Sequence, residues 1–455
     1  MWPPGIGPAG GTALDRDVVE ILPARDLDAL VVAPASKSVT NRLLVLAALA
    51  DGESRIGGPL VSLDTEAMVS GLGTLGTKVQ RDDGLWRVGG RAGEVSAPTG
   101  TVDAGLSGTT LRFLAAMSAL APSAVEIDGS EPLRRRPIAG LADALRDLGA
   151  VVSLTEGRLP MRIEPAGLQG GVVNVRAGES SQFATAVLLI APYASGDLLV
   201  RVHGLGASGY LRLTIDAMER WGAHVSVLAG DATPGEGGCS RSPWEIRVSS
   251  RDRYSAREET VEHDASAAAH LLALAMAAGG RVTVTNAAEG SLQPDAGITE
   301  IFEAMGALVS AGPGGIAVER SGRLRCVDAD LSAMPDQLPT VAVLAALAEG
   351  ESRISNVGIA RGHETDRVAA TACELRRLGA DVDELAGGLV VRGGKRLHSG
   401  RVDTYGDHRM AMAFAALGTA VPGVEIADPG CVAKTYPGFW DDLAAAGLVA
   451  APGRH

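Results

Sequence analysis

Aromatic residues make up only 3% of this chain of 455 residues, and cysteine occurs four times. With so few rings, the core must be built from Ala, Leu and Val, whose packing needs close approach of backbones. Cys239, Cys326, Cys373 and Cys431 lie far apart without metal-ligand spacing, which excludes a zinc knuckle or a disulfide framework and fits a reducing compartment. A basic excess is also missing: the net charge is -13, so nothing sequence-wide attracts nucleic acid or an anionic membrane. No apolar run approaches the roughly 20 residues of a membrane span, and the opening MWPPGIGPAGG has neither a basic n-region nor an apolar h-region. The expectation is a cytoplasmic monomer with no membrane or nucleic-acid partner and no metal.

Glycine, at 59 residues, is abundant, and part of it is periodic. LGTLGTKV, LRDLGAVV, MERWGAHV, FEAMGALV, LRRLGADV and LAAAGLV each read as the end of an amphipathic helix stopped by a glycine, with a short strand after it. Those glycines, Gly76, Gly149, Gly222, Gly306, Gly379 and Gly447, recur at about 73 residues, with one longer step after Gly222 that contains AGDATPGEGGCSRSP. In antiphase runs a second series in which a polar head precedes an apolar body: SKSVTNR before LLVLAALA, SGTTLR before FLAAMSALA, SSQFAT before AVLLIAPYA, DASAAAH before LLALAMAA, PDQLPT before VAVLAALA, and DHR before MAMAFAALG. A helix apolar on every side is buried on every side. Strand-like segments such as GLWRVGG, SAVEIDG, LPMRIEP, GVVNVRA and GGLVVRGG fall between the helices. The pattern predicts an α/β protein of six similar units divided three and three, with a domain crossing near Glu262. A repeat solenoid is the structural alternative, and packing alone would not require polar heads at matching positions.

Serine and threonine at these heads are ordinary N-caps, which covers Ser36, Ser38, Thr109, Ser180 and Ser181 taken singly. Cations are not ordinary there. Lys37, Arg42, Arg112 and Arg409 are placed by the pattern in first turns, where they oppose the helix dipole, so a small polyanion beside them is the economical explanation. Arg136, Arg367 and Lys434 are further bases in structured-looking sequence; Asp336, Glu364 and Asp407 are too few to neutralise the set and are suited to proton transfer. Plainer readings exist for two motifs. In HETDR, Glu364 and Asp366 suit a first helical turn, with Glu364 pairing Arg367; in DHR, Asp407 is an N-cap and His408 packs against its neighbours. HETDR lacks the second histidine of a zinc-protease helix, and GLSGTT lacks the lysine of a P-loop.

Taken together, PASKSVTNR, GLSGTTLR, SSQFATAVLLIAP, MPDQLPTVAVLA, HETDR, DHRMAM and CVAKTYPGF, in that order between about Leu22 and Leu448, resemble the 5-enolpyruvylshikimate-3-phosphate synthase family of enolpyruvyl transferases. The resemblance implies two similar domains, each of three βαβαββ units with buried helices, an inside-out α/β barrel, with residues 35–261 inserted between 1–34 and 262–455 and the active site in the cleft between the domains. It implies transfer of the enolpyruvyl group of phosphoenolpyruvate to the 5-hydroxyl of shikimate 3-phosphate, in the shikimate pathway, without a cofactor. Carried over by motif, Lys37 touches both substrates, and Ser38, Arg42, Ser180, Ser181, Gln182, Tyr210, Asp336 and His363 line the shikimate 3-phosphate side. Gly108, Arg112, Arg136, Gln182, Arg367, His408, Arg409 and Lys434 form the phosphoenolpyruvate side, with Lys37, Asp336 and Glu364 in catalytic roles.

The chain departs from the family pattern at several points. His363 stands where lysine is usual, so acceptor binding is expected to weaken as pH rises past about 6.5 to 7.5. Ala35, Leu106 and Ile359 replace a glycine and two asparagines; near Tyr210, Ala207 and Gly209 occupy the places of the usual serine and proline, with Ser208 between them; Phe113 replaces a proline, with an expected effect on tolerance of glyphosate, a phosphoenolpyruvate-like inhibitor. Two rivals are a sister enolpyruvyl transferase acting on UDP-N-acetylglucosamine, whose cysteine-bearing loop belongs near residues 100 to 140, where this chain has no cysteine, and a noncatalytic binding protein on the same fold.

Overall fold

The periodic glycines mark the architecture. All six take positive φ, from 75° at Gly447 to 105° at Gly306, the left-handed conformation that ends a helix and that residues with a side chain rarely adopt. The computed structural model describes residues 18–204, 209–230 and 243–449. Residues 231–242, which hold Cys239 and most of the AGDATPGEGGCSRSP insertion, lie outside the described residues, together with Ala207, Ser208 and the MWPPGIGPAGG opening.

The six apolar bodies are helices buried almost throughout: Lys37–Leu49, Gly108–Ser118, Gln182–Ile190, Ala265–Ala278, Leu338–Leu347 and His408–Ala420. The amphipathic helices alternate with them, as Leu63–Thr74, Ala139–Asp147, Gly209–Arg220, Ile298–Ala304, Arg367–Arg377 and Phe439–Ala445. Small side chains permit the burial: the Ala265 helix carries ASAAAHLLALAMAA and packs against the Leu338 and His408 helices.

The chain divides into two compact units, one of residues 35–264 with Leu292–Pro294, the other of residues up to Pro34, 265–291 and 295 onward. Each has its own hydrophobic core, one running from Val39 to Val261 and the other from Val19 to Val449. In the first unit three four-stranded sheets cover the helices. Each sheet has a parallel pair followed by two antiparallel partners, and in two of the three the parallel pair is joined through a buried helix, as in Gly171–Arg176 beside Leu198–His203, followed by Trp244–Val248 and Val225–Ala229. This is the βαβαββ unit of the sequence repeat.

Several sheets are completed from elsewhere in their unit. Asp51–Gly57 is paired in parallel by Glu258–Thr260, from the far end of the first unit. In the second, Leu27–Val31 pairs in parallel with Gly280–Val284, and Val18–Glu20 pairs antiparallel with Val424–Ala427. Among the described residues the sheet of the sixth repeat has three strands, and Ile21 bridges Val449. Equivalent glycines recur where strands cross helix ends: a Cβ on Gly90 would overlap the carbonyls of Ala47 and Ala50, and one on Gly393 those of Ala345 and Ala348.

Candidate active site

Two polar clusters form at the heads of the buried helices, one in each unit. In the unit of residues 35–264, Ser36 caps the Lys37 helix and accepts from the Val39 amide, while its own hydroxyl donates to Gln293 Oε1 at 2.8 Å. The cap exposes Lys37 as the first helical residue. Its backbone N–H donates to Asp264 Oδ2, and its ammonium lies 3.1 Å from Asp64 Oδ2, a carboxylate only 2% exposed. Dipole repulsion at this lysine is thus answered by two carboxylates, neither of which the motif reading had assigned to the site.

Arg42 and Arg112 lie one turn deeper than the pattern placed them, as the sixth and fifth residues of their helices. Arg42, 3% exposed, donates through Nε to Thr214 Oγ1 (2.9 Å) and through its terminal nitrogens to the carbonyls of Ser38 (2.8 Å) and Tyr210 (3.3 Å). Its guanidinium stacks between the rings of Phe113 and Tyr210. No carboxylate among the described residues pairs with it, and burial lowers its pKa to about 10. A buried cation held only by neutral oxygens and rings is poised to accept an anion.

The second helix head contributes a different group. Ser107 caps the Gly108 helix through the Thr110 amide, and Arg112 donates to Gln182 Oε1 at 2.5 Å, while Gln182 Nε2 donates to Thr109 Oγ1 at 3.2 Å. Gly108 lies under two guanidiniums: a Cβ there would sit 2.7 Å from Arg112 Nη1 and 2.9 Å from Arg136 Nη1. Ser180 accepts from the Gln182 amide; Ser181 occupies the N-cap position of that helix without a side-chain cap bond. Ser38, Arg42 and Tyr210 thus form one connected set, with Lys37 beside it on the same helix head, and Gly108, Arg112, Arg136, Gln182 and Ser180 another.

In the other unit, charges meet on Arg367, which is 1% exposed. Its Nε donates to Asp407 Oδ2 (2.7 Å), Nη2 to Asp407 Oδ1 (3.2 Å) and Glu364 Oε2 (2.6 Å), and Nη1 to Asp336. Asp336 also pairs Arg409 at 2.8 Å, and Glu364 pairs Lys434 at 2.6 Å. Three carboxylates face three cations here, so this cluster is closer to neutrality than the sequence count implied. Burial opposes ionisation of Asp336, yet Arg409, Arg367 and His363 outweigh it and hold its carboxyl well below the usual range. Burial likewise opposes the charge on Arg367, and its three carboxylates push its pKa up.

The plainer readings of the two motifs hold in part alongside this network: Glu364 and Asp366 lie ahead of the Arg367–Arg377 helix and not in its first turn, because the helix starts only after the Asp366 cap. Asp366 caps the Arg367 helix through the Ala369 amide at 3.0 Å, and Glu364 and Arg367 pair three residues apart. Asp407 caps its helix by accepting from the Arg409 amide at 2.9 Å, and His408 is 1% exposed, packed beside it. His363 Nδ1 lies 3.0 Å from Arg367 and 3.1 Å from Asp336; burial lowers its pKa, outweighing the pull of Asp336. The expected loss of positive charge between about pH 6.5 and 7.5 is therefore displaced to lower pH, because the buried ring sheds its proton sooner. Among the described residues, no group of three His, Cys, Asp or Glu side chains is arranged to hold a metal ion, and no helix is long and apolar enough to cross a membrane.

This architecture defines a class. EPSP synthase from Acinetobacter baumannii superimposes with a TM-score of 0.76 over 95% of this chain and 99% of that one at 23% identity, and the enolpyruvyl transferase NikO from Streptomyces tendae with 0.70 over 95% and 99% at 17%. The fold is that of the enolpyruvyl transferases. Sequence narrows it further. The family model described as EPSP synthase (3-phosphoshikimate 1-carboxyvinyltransferase) matches residues 21–443. A 3-phosphoshikimate 1-carboxyvinyltransferase of Methanoculleus marisnigri is 39% identical over 95% of this chain and 100% of its own length, and one of Syntrophobacter fumaroxidans is 40% identical over 92% and 97%. The chain belongs to the EPSP synthase family.

Proposed function

We propose that this chain transfers the carboxyvinyl group of phosphoenolpyruvate to the 5-hydroxyl of shikimate 3-phosphate and releases inorganic phosphate, as a step of aromatic amino-acid biosynthesis. Family membership along nearly the whole chain carries the reading. The two clusters suit two polyanionic substrates: one presents Lys37, Ser38, Arg42, Ser180, Ser181, Gln182 and Tyr210, and the other presents Arg367, His408, Arg409 and Lys434 beside Asp336, His363 and Glu364. Gly108, Arg112 and Arg136 would join the second group on phosphoenolpyruvate, with Lys37 and Gln182 serving both substrates.

The chemistry follows from the carboxylates. Glu364, a carboxylate while clasped by Arg367 and Lys434, would first take up a proton from solvent and then deliver it to the methylene carbon of the enol, creating a cationic centre at the neighbouring carbon. Asp336, held ionised, would take the proton of the acceptor hydroxyl as its oxygen attacks that centre. Loss of a proton from the new methyl group, returned to Glu364, and departure of phosphate, which carries away the proton taken up by Asp336, restore the double bond. Cations already anchored in the protein would stabilise the transferred charge without reorganising. No cofactor or metal enters the reading, and we place the protein in the cytoplasm as a monomer without nucleic-acid partners.

The test is phosphate release with phosphoenolpyruvate and either shikimate 3-phosphate or UDP-N-acetylglucosamine, with Lys37→Ala as control. Release with the first acceptor alone is expected. Release with the nucleotide sugar would favour the sister enzyme, a reading already weakened by the missing cysteine between residues 100 and 140. No release with either acceptor would favour a noncatalytic binding protein.

A further inference from the structure

Below the carboxylate cluster runs a chain of buried side chains that the reaction does not use. Asp295, Gln337, Thr340 and His270 are at most 1% exposed and come from three separate stretches of one unit. Gln337 Nε2 donates to Asp295 Oδ1 at 2.7 Å, Thr340 Oγ1 lies 3.1 Å from Gln337 Oε1, and His270 Nδ1 lies 3.0 Å from Thr340 Oγ1. The direction of these bonds is fixed by proton counting. A carboxylate only accepts, so the Gln337 amide turns its nitrogen to Asp295 and its oxygen to Thr340. Two oxygens can share only the hydroxyl proton, so Thr340 donates to Gln337, and His270 must then donate to Thr340 from Nδ1. His270 Nε2 is left as a bare acceptor that meets no hydrogen-bond partner among the described residues. The neutral ring this requires agrees with its pKa, lowered by burial and then by Arg409 and Arg367.

Gln337 is the last residue of the turn Pro335–Gln337 and the N-cap of the Leu338 helix, and its chain neighbour is Asp336. Its side chain forms no cap bond with its own helix. It is spent instead on Asp295 and Thr340, which pins the turn from inside while Arg367, Arg409 and His363 grip the Asp336 carboxylate from the other side.

We infer that His270, Thr340 and Gln337 are positioning residues that set Asp336 for proton removal from the acceptor, through a one-way hydrogen-bond chain ending on Asp295. The inference rests on the reaction proposed above. Three donors pointing the same way polarise one another, so breaking the middle link loosens the whole chain. Because only Nδ1–H is used, the imidazole can be replaced by any group that donates from that position.

The experiment is steady-state phosphate release by the full chain with both substrates varied, after the unsubstituted protein has been shown to turn over; failure at that first step counts against the reaction, and the positioning is then decided by ligand binding. To keep the inference decidable on its own, the variants are also read by isothermal binding of shikimate 3-phosphate, which needs no turnover. Thr340→Val keeps the shape and removes the hydroxyl. It should lower kcat about tenfold, weaken shikimate 3-phosphate binding, and leave the KM for phosphoenolpyruvate within about twofold. Thr340→Ser should restore both readouts, and His270→Asn, whose amide donates from near the Nδ1 position, should retain most activity where His270→Leu does not. The inference is overturned if Thr340→Val keeps the unsubstituted kcat and binding, if Thr340→Ser is as impaired as Thr340→Val, or if both KM values move together with the melting temperature, the sign of general loosening.

Discussion

Replacing Asp407 separates two roles that the structure gives one carboxylate. It is fully buried, accepts two bonds from Arg367 and caps the His408 helix through the Arg409 amide. Removing one partner of a buried ion pair costs about 3–5 kcal/mol, and a lost cap about 1 kcal/mol. Arg367 keeps Asp336 and Glu364, so the lower end applies to the pair. Asp407→Asn preserves a capping oxygen and should therefore cost about 3 kcal/mol, and Asp407→Ala about 4 kcal/mol. Because two units can unfold separately, a global melting curve would blur the answer. Amide hydrogen exchange in peptides covering His408–Ala420 reads the opening of that helix directly: the Asn variant should exchange on the order of 100-fold faster, and the Ala variant roughly fivefold faster again. If Asp407→Asn leaves exchange within a factor of five of the unsubstituted protein, the buried pair is not what holds this helix head, and the electrostatic account of the cluster fails.

Further outcomes follow from other sites. Gly393→Ala should lower soluble yield and melting temperature, since its methyl would overlap two helix-terminal carbonyls; overpacking of this kind costs about 1–3 kcal/mol or more, and an unchanged melting curve would contradict it. Calorimetric binding of shikimate 3-phosphate should be flat from about pH 6.5 to 7.5 and strengthen only below that, because a histidine whose pKa is depressed gains its proton at lower pH; His363→Gln subtracts the ligand's own phosphate ionisation, and a fall centred between those values would refute the burial argument. Phe113→Pro removes a helical N–H at the sixth residue of its helix and the ring beneath Arg42, so inhibition by glyphosate and binding of shikimate 3-phosphate should both change, and equal constants would refute a role for Phe113.

The sequence was informative where one physical constraint repeats. Positive-φ glycines and all-apolar helices recur in every unit, so their spacing disclosed the architecture without any single motif. Sheet completion was illegible, because Glu258–Thr260 and Val18–Glu20 are three residues long and carry no alternation to read. The same limit governs the cluster. Lys37 and Arg42 stood out as cations on buried helices, but their partners Asp64 and Thr214 sit within amphipathic helices among ordinary polar neighbours. Asp264 was different: it precedes the Ala265 helix in the same register as Lys37, a signal that pointed to a helix head and could have been taken as a site residue. The depth of Arg42 and Arg112 followed from where their caps fall, which depends on hydrogen bonds made by Ser36 and Ser107.

The strands that travel furthest to find a partner impose an order on synthesis. Residues 35–264 hold nearly everything their unit needs, Glu258–Thr260 included, so that unit can assemble while the ribosome is still at work. The segment from Val18 to Val31 emerges earlier than all of it, yet its partners at Gly280–Val284 and Val424–Ala427 are translated hundreds of residues later. Leu27–Val31 must wait unpaired, exposing edge-forming backbone, until Gly280–Val284 is made, and Val18–Glu20 until Val424–Ala427 is.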